Sequence, residues 1–146
     1  MTIHVMVGIP GSGKSTYARQ LEKQGAVRVS LDEIREKLEV ETGSKSEPKV
    51  FSEGLKQMKA ALEENKDVVC DSTNVTPKKR AEYFKVAKKY GAKTIAIFVN
   101  TDKKECLERN SKREGNAKVP AVAIHTAAKR LIPPTEEEGF DMVIIL

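Results

Sequence analysis

Gly8-Ile9-Pro10-Gly11-Ser12-Gly13-Lys14-Ser15-Thr16 is the stretch on which the reading of this chain turns. It fits G-x-x-x-x-G-K-[ST], directly after the apolar run Ile3 to Val7 and at the opening of a helical pattern, the context in which the motif carries meaning. Gly8, Gly11 and Gly13 let the backbone wrap closely, so that successive N–H groups point into one concavity suited to phosphate oxygens. The helix that begins here adds the positive end of its dipole. Lys14 supplies a point charge for the β- and γ-phosphates, and the Ser15 hydroxyl is a ligand for magnesium. The motif predicts nucleoside triphosphate binding, with Gly8, Pro10, Gly11, Ser12, Gly13, Lys14, Ser15 and Thr16 as the ATP-binding cradle.

On the C-terminal side of this loop, helical segments alternate with short apolar runs. A helix is expected from about Lys14 to Lys23, then a strand from Ala26 to Ser30 and a short helix from Leu31 to about Val40. A longer helix from about Pro48 to Asn65 carries Phe51, Leu55, Met58 and Leu62 on one face of a 3.6-residue period. Asp67 to Asp71 reads as a strand, and Pro77 opens a helix that ends near Gly91. Lys93 to Asn100 is the clearest strand. A charged helix from about Asp102 to Arg113, a Gly/Asn loop, a helix opened by Pro120 and a strand from Phe140 to Leu146 complete the chain. Strands alternating with helices imply βαβ units around a parallel sheet. The fold expected is α/β of the P-loop NTPase type, with four or five parallel strands flanked by helices.

The chain has 146 residues, a length that suits one domain over 1–146. Apolar residues at 39% and charged residues at 32% fit a well-solvated globular protein, and two Cys without framework spacing suit a reducing compartment. No apolar run has the length of a membrane span, and the N-terminus lacks a basic n-region. Secreted, membrane and fibrous classes are therefore set aside, and a cytoplasmic domain is expected. The net charge of +5 is unevenly spread. Met1 to Thr73 has 11 basic and 12 acidic residues, whereas Lys78 to Arg130 has 15 and 5, a net of +10. Such a block suggests a polyanionic partner, because clustered Lys and Arg gain from phosphate neutralisation; solvated helix faces are the plainer alternative.

What the triphosphate is used for must come from other residues. A guanine-reading N-K-x-D is lacking; Asn65-Lys66-Asp67-Val68 has its acid one place early. Val68-Val69-Cys70-Asp71 is an apolar strand ending in an acid, so Asp71 is either a magnesium residue or the cap of the following turn. His4 and His125 have no acid or nucleophile placed near them in sequence, and Cys70 and Cys106 have no companion at metal-ligand spacing. Lys78, Lys79, Arg80, Lys88 and Lys89 extend a strand-binding groove or are ordinary solvated charge.

Three more stretches follow the P-loop in order: Ser30-Leu31-Asp32-Glu33-Ile34-Arg35, Asp71-Ser72-Thr73-Asn74 running on to Arg80, and Arg109-Asn110-Ser111-Lys112-Arg113 with Val119-Pro120 behind it. Pro134 to Asp141 adds a fourth. Together they resemble the kinase domain of the bacteriophage and bacterial polynucleotide kinase family, over essentially the whole chain. The resemblance implies transfer of the γ-phosphate of ATP, with Mg2+, to the 5′-hydroxyl end of a DNA or RNA strand, a reaction of nucleic acid repair. It implies that Asp32 accepts the proton of the 5′-hydroxyl and that Arg35 grips the adjacent phosphate. Thr73 and Asn74 would line the acceptor pocket, and Ser15 and Asp71 would serve the metal. Arg113 would be a lid arginine on the donor phosphates, with Arg109, one helical turn earlier, sharing that role or meeting the donor base; the lid spans about 102–119.

The chain departs from the phage pattern in two places. Ser72, not an acid, precedes Thr73-Asn74, and Glu114 directly follows the lid arginine. No D-x-D-x-[TV] phosphatase motif and no K-x-D-G ligase motif occurs, so kinase chemistry alone is expected. Two rivals use the same donor site: a kinase of a small molecule or of an aminoacyl-tRNA, and a regulatory nucleotide-binding module. Arg35 and the basic stretch favour a polyanionic acceptor, and a lid arginine in cis speaks against a switch. ATP and GTP both remain as donors, since no donor-base motif is present.

Overall fold

The computed structural model describes residues 1–146, the side chain of Asn116 excepted. In chain order the elements are β1 (Thr2–Val7), α1 (Lys14–Lys23), β2 (Val27–Ser30), α2 (Leu31–Leu38), α3 (Glu47–Glu63), β3 (Val68–Asp71), α4 (Pro77–Tyr90), β4 (Lys93–Phe98), α5 (Lys103–Ser111), α6 (Ala121–Arg130) and β5 (Met142–Ile145). Short 3-10 turns lie at Gly115–Ala117 and Glu136–Glu138. All five strands join one sheet in the order β2-β3-β1-β4-β5, and every pair is parallel. The α/β fold is the one expected, with five strands.

Strand sequences explain the layering. On β1, Ile3, Val5 and Val7 point to a core shared with Val68, Cys70, Ala96 and Phe98 and with the helical residues Val50, Met58, Leu62, Tyr83 and Val86. Met6, Val69 and Ile97 point to the other face, where Ala18 of α1 is buried and Tyr17 and Leu21 pack beside it. A strand buried on both faces needs apolar residues at both parities, hence Met6 beside Val5 and Val7 in β1, with half-buried His4 the one polar residue between Ile3 and Val5. The sheet has β3 on one side of β1 and β4 on the other. Open α/β sheets bind ligands outside the carboxyl ends of the strands where the order reverses, and the loop after β1 lies there.

Helix ends follow local chemistry. Ser30 Oγ accepts the N–H of Glu33, Thr76 Oγ1 that of Lys79, and Asp102 Oδ1 that of Glu105; each is a side-chain cap on an otherwise orphaned donor. Gly54, inside α3, costs that helix about 1 kcal/mol against Ala. A Cβ there would sit 2.8 Å from Leu31 Cδ2, so a larger residue would require that leucine side chain at the start of α2 to shift.

Some boundaries differ from expectation. α5 stops at Ser111, so Arg113 lies beyond the helix rather than one turn after Arg109 on it. α2 ends at Leu38, where Glu39 turns left-handed at φ 56°. Arg80 is the larger correction: it is neither groove nor solvated charge. It is wholly buried, with Nε and Nη2 donating to the two Glu138 oxygens at 2.7 and 2.9 Å and Nη1 donating to the Asn74 carbonyl at 2.8 Å. Lys78, Lys79, Lys88 and Lys89 are exposed.

Candidate active site

The P-loop is shaped by backbone contacts on its outer side. Gly8 N–H donates to the Thr73 carbonyl at 3.0 Å, which ties the loop to the end of β3. The Ser12 carbonyl accepts from Thr101 Oγ1 at 2.7 Å and from Arg109 Nη1 at 3.2 Å, and the Gly11 carbonyl accepts from Arg109 Nη1 at 3.3 Å. Gly11 has φ 86°, and a Cβ there would lie 2.8 Å from the Cys106 carbonyl oxygen. The first part of α5 is thus seated against the loop, with Cys106, Ile9 and Ile124 buried together beneath it. Arg109 braces the loop from outside, its Nη2 held by Glu105 at 2.8 Å. Pro10 and Gly13 are half-buried, Thr16 is exposed, and Ser12 is buried with an unpartnered hydroxyl among the described residues.

Lys14 begins α1 and is 8% exposed. Burial pushes its ammonium below the ordinary lysine value. The carboxylates of Asp71 and then Asp32 oppose that shift, while the charge of Arg113 adds to it. An ammonium stripped of water gains more from phosphate oxygens than an exposed one does.

Asp71 ends β3 facing α1. Its Oδ1 accepts from the Ser15 hydroxyl at 3.3 Å, and its Oδ2 accepts Arg28 Nε at 2.9 Å and Nη2 at 2.8 Å. Arg28 Nη1 continues to Glu33 at 2.8 Å. A hydroxyl beside one carboxylate is a partial set of hard oxygen donors, the kind that Mg2+ completes with phosphate oxygens and water. Ser15 and Asp71 therefore fit that ion.

Across the cleft, α2 carries the acceptor candidates. Asp32 lies in its first turn, and Oδ1 accepts Arg35 Nη1 at 2.7 Å. Arg35 Nε and Nη2 both reach Glu47 Oε1 at 2.6 Å, and the other Glu47 oxygen accepts the Gly43 N–H at 3.0 Å. Of the five N–H donors a guanidinium has, these bonds use three. Arg113, half-buried, donates one long hydrogen bond to the Ala117 carbonyl at 3.4 Å.

Thr73 lies half-buried beside Gly8. Asn74 does not face an acceptor pocket. It is 3% exposed, its amide nitrogen donates to the Met6 and Ser72 carbonyls, and its oxygen accepts the Tyr83 hydroxyl at 2.9 Å. The side chain is spent on joining β1, β3 and α4. Arg28, Glu47 and Thr101 were not singled out in the sequence. Arg28 carried one usable signal, a charge inside the apolar run Ala26 to Val29, which is too common to act on; Glu47 lies in a polar connection and carried none.

The AAA domain family model matches residues 3–134. The bifunctional polynucleotide phosphatase/kinase of Schizosaccharomyces pombe is 30% identical over 145 residues, covering 97% of this chain and 32% of that protein. The L-seryl-tRNA(Sec) kinase of Methanococcus maripaludis is 26% identical, covering 94% of this chain and 55% of that one. This chain therefore spans about a third to a half of the length of these relatives. A solved structure of the Pnkp1/Rnl/Hen1 RNA repair complex superposes with a TM-score of 0.76 at 24% identity, over 89% of this chain and 43% of the other. Phosphate loop and family model agree: the chain belongs to the AAA domain family, and nearly its whole length is similar to part of a polynucleotide phosphatase/kinase.

Proposed function

We propose that this chain, acting as one domain, transfers the γ-phosphate of ATP to the 5′-hydroxyl end of a DNA or RNA strand. The observation that carries this reading is the Asp32–Arg35 pair, 2.7 Å apart on α2, with the Asp32 charge felt at Lys14. A carboxylate beside a guanidinium suits a hydroxyl that has a phosphate as its neighbour, the chemistry of a nucleotide 5′ end. The S. pombe relative supports the same acceptor.

In this mechanism the P-loop N–H groups and Lys14 hold the donor phosphates. Asp32 accepts the hydroxyl proton as the new O–P bond forms and the bond to the β–γ bridging oxygen breaks, releasing ADP. Little basicity is demanded of Asp32, because the transition state is loose. Arg35 turns its two remaining N–H donors to the acceptor's phosphate, and Thr73 lines the acceptor side. Arg113, held by one long hydrogen bond, swings onto the moving phosphoryl group from a lid spanning about 102–119. Arg109 acts through the loop carbonyls it braces. Ser15 and Asp71 would hold Mg2+, which would supply neutralisation of phosphate charge. Such a kinase works in the cytoplasm, where ATP is plentiful; among the described residues no helix is long and apolar enough to cross a membrane.

A second reading has one specific support, the seryl-tRNA kinase relative. There the same donor half would serve a hydroxyl on a charged tRNA. The test is transfer of labelled γ-phosphate from ATP and Mg2+ to a 5′-hydroxyl oligonucleotide and, separately, to seryl-tRNA. Label on the oligonucleotide alone is the expected result; label only on the aminoacyl group would replace this reading with the second.

A further inference from the structure

Arg28 stands on the edge strand β2, outside every motif that signals nucleotide chemistry, yet its side chain is 7% exposed and its partner Asp71 2%. Burying a guanidinium and a carboxylate together is costly unless each has well-placed partners. Here both do. Arg28 closes on Asp71 Oδ2 with two donors and on Glu33 with a third, and the Asp71 Oδ1 that remains is left to Ser15. The arrangement fixes which oxygen of Asp71 faces the P-loop helix.

Lys14 gives that orientation its consequence. It is buried at the start of α1, directly before the Ser15 whose hydroxyl meets Asp71, and Asp71 is the largest of the charges opposing its desolvation. A carboxylate free to turn would pair directly with the ammonium, and the positive charge offered to a nucleotide phosphate would be quenched. We propose that Arg28 is a positioning residue that holds the Asp71 carboxylate toward Ser15 and away from Lys14, so that Lys14 stays free for the donor phosphate. Through Glu33, the same guanidinium also fastens the first turn of α2, which bears Asp32, to the end of β3. A continuous run of contacts, Ser15–Asp71–Arg28–Glu33, thus joins the two sides of the cleft.

The inference rests on the nucleotide site and not on the identity of the acceptor, so a failed polynucleotide assay leaves it standing. Its test is equilibrium binding of fluorescent ADP, with and without Mg2+, to the wild type, Arg28→Met, Arg28→Lys, Asp71→Asn and the double variant Arg28→Met/Asp71→Asn. Without metal, Arg28→Met should bind ADP roughly tenfold more weakly, because Asp71 now competes for Lys14. The double variant should return to within about threefold of the wild type, since the competing charge is gone, and Arg28→Lys should fall between. A purely structural role gives another pattern: Arg28→Met would lose ADP affinity only in step with a fall in melting temperature, and the double variant would recover the two together. That result, or metal-free binding by Arg28→Met equal to the wild type, overturns the proposal. Melting temperatures taken alongside separate loss of the fold from loss of binding. A wild type that binds no ADP would remove the nucleotide site and this inference with it.

Discussion

Three charged groups at the start of α1 and beneath it are dry. Lys14 is 8% exposed, and the side chains of Asp71 and Arg28 are sealed beneath it. On α2 the Asp32 side chain is 84% exposed, and Arg35, 17% exposed, is held between Asp32 and Glu47 of α3. The donor side is held by backbone and by the sheet, so its geometry is inherited with the fold. The acceptor side is a network of surface side chains whose partners can change without disturbing the core. That contrast gives a physical reason for relatives of one family to carry names as different as polynucleotide phosphatase/kinase and L-seryl-tRNA(Sec) kinase.

If the contrast is right, substitutions on the two sides should fail differently. Arg113→Ala should have the largest effect, lowering turnover by about 10³-fold with ADP affinity little changed, if Arg113 acts on the moving phosphoryl group as proposed. A loss of less than tenfold in single-turnover transfer would remove it from the mechanism. Arg80 belongs with the dry groups although it stands in the basic stretch. Arg80→Met leaves Glu138 without its bidentate partner and should cost about 3 kcal/mol of stability in urea unfolding, whereas Lys88→Met should stay within about 0.5 kcal/mol. Equal effects of the two would mean that burial does not divide these charges as described.

On the acceptor side, Arg35→Ala should raise KM for a 5′-hydroxyl oligonucleotide by roughly tenfold while leaving KM for a free nucleoside nearly unchanged. Parallel changes in both would show that Arg35 orders α2 rather than reads the phosphate. Glu47→Gln should be mildest. Burial raises the Glu47 pKa, but the hydrogen bonds from Arg35 and Gly43 and the charge of Arg35 outweigh it and hold the carboxyl below its ordinary value. A folded-state pKa below the unfolded one stabilises above the ordinary carboxylate range, and the benefit is lost as pH falls through the folded value. The variant should therefore melt below the wild type near neutral pH, and the two curves should converge in acid. Curves that stay parallel to roughly pH 3 would contradict this pairing.

The donor side was legible because its residues are neighbours. Gly8 through Thr16 form one loop, and the run Ile3 to Val7 and the helix after it supply their context within the same stretch of chain. That Asp32 and Arg35 share one face of α2 was legible from their three-residue spacing; the roles proposed for them come from the family resemblance. What stayed hidden depends on long-range contact. Arg28 meets Asp71 across 43 positions, Arg80 meets Glu138 across 58, and Arg35 meets Glu47 across 12. No local pattern encodes such pairs. Asn74 was misplaced for a related reason: Thr73-Asn74 reads alike whether the amide faces a pocket or the core, and only Tyr83 and Met6 decide it. The basic stretch misled in the same way at Arg80, since composition counts a buried guanidinium and a solvated one equally.

The central claim is that Asp32 serves an acceptor hydroxyl beside a donor site that stands without it. Transfer of labelled γ-phosphate to a 5′-hydroxyl oligonucleotide by the wild type and Asp32→Ala, with ADP affinity measured for both, tests it most directly. The account predicts label at the 5′ end, slowed by about 10²-fold in the variant, with ADP bound within about threefold of the wild type. Equal transfer by the two proteins, or none by a wild type that binds ADP, would contradict it.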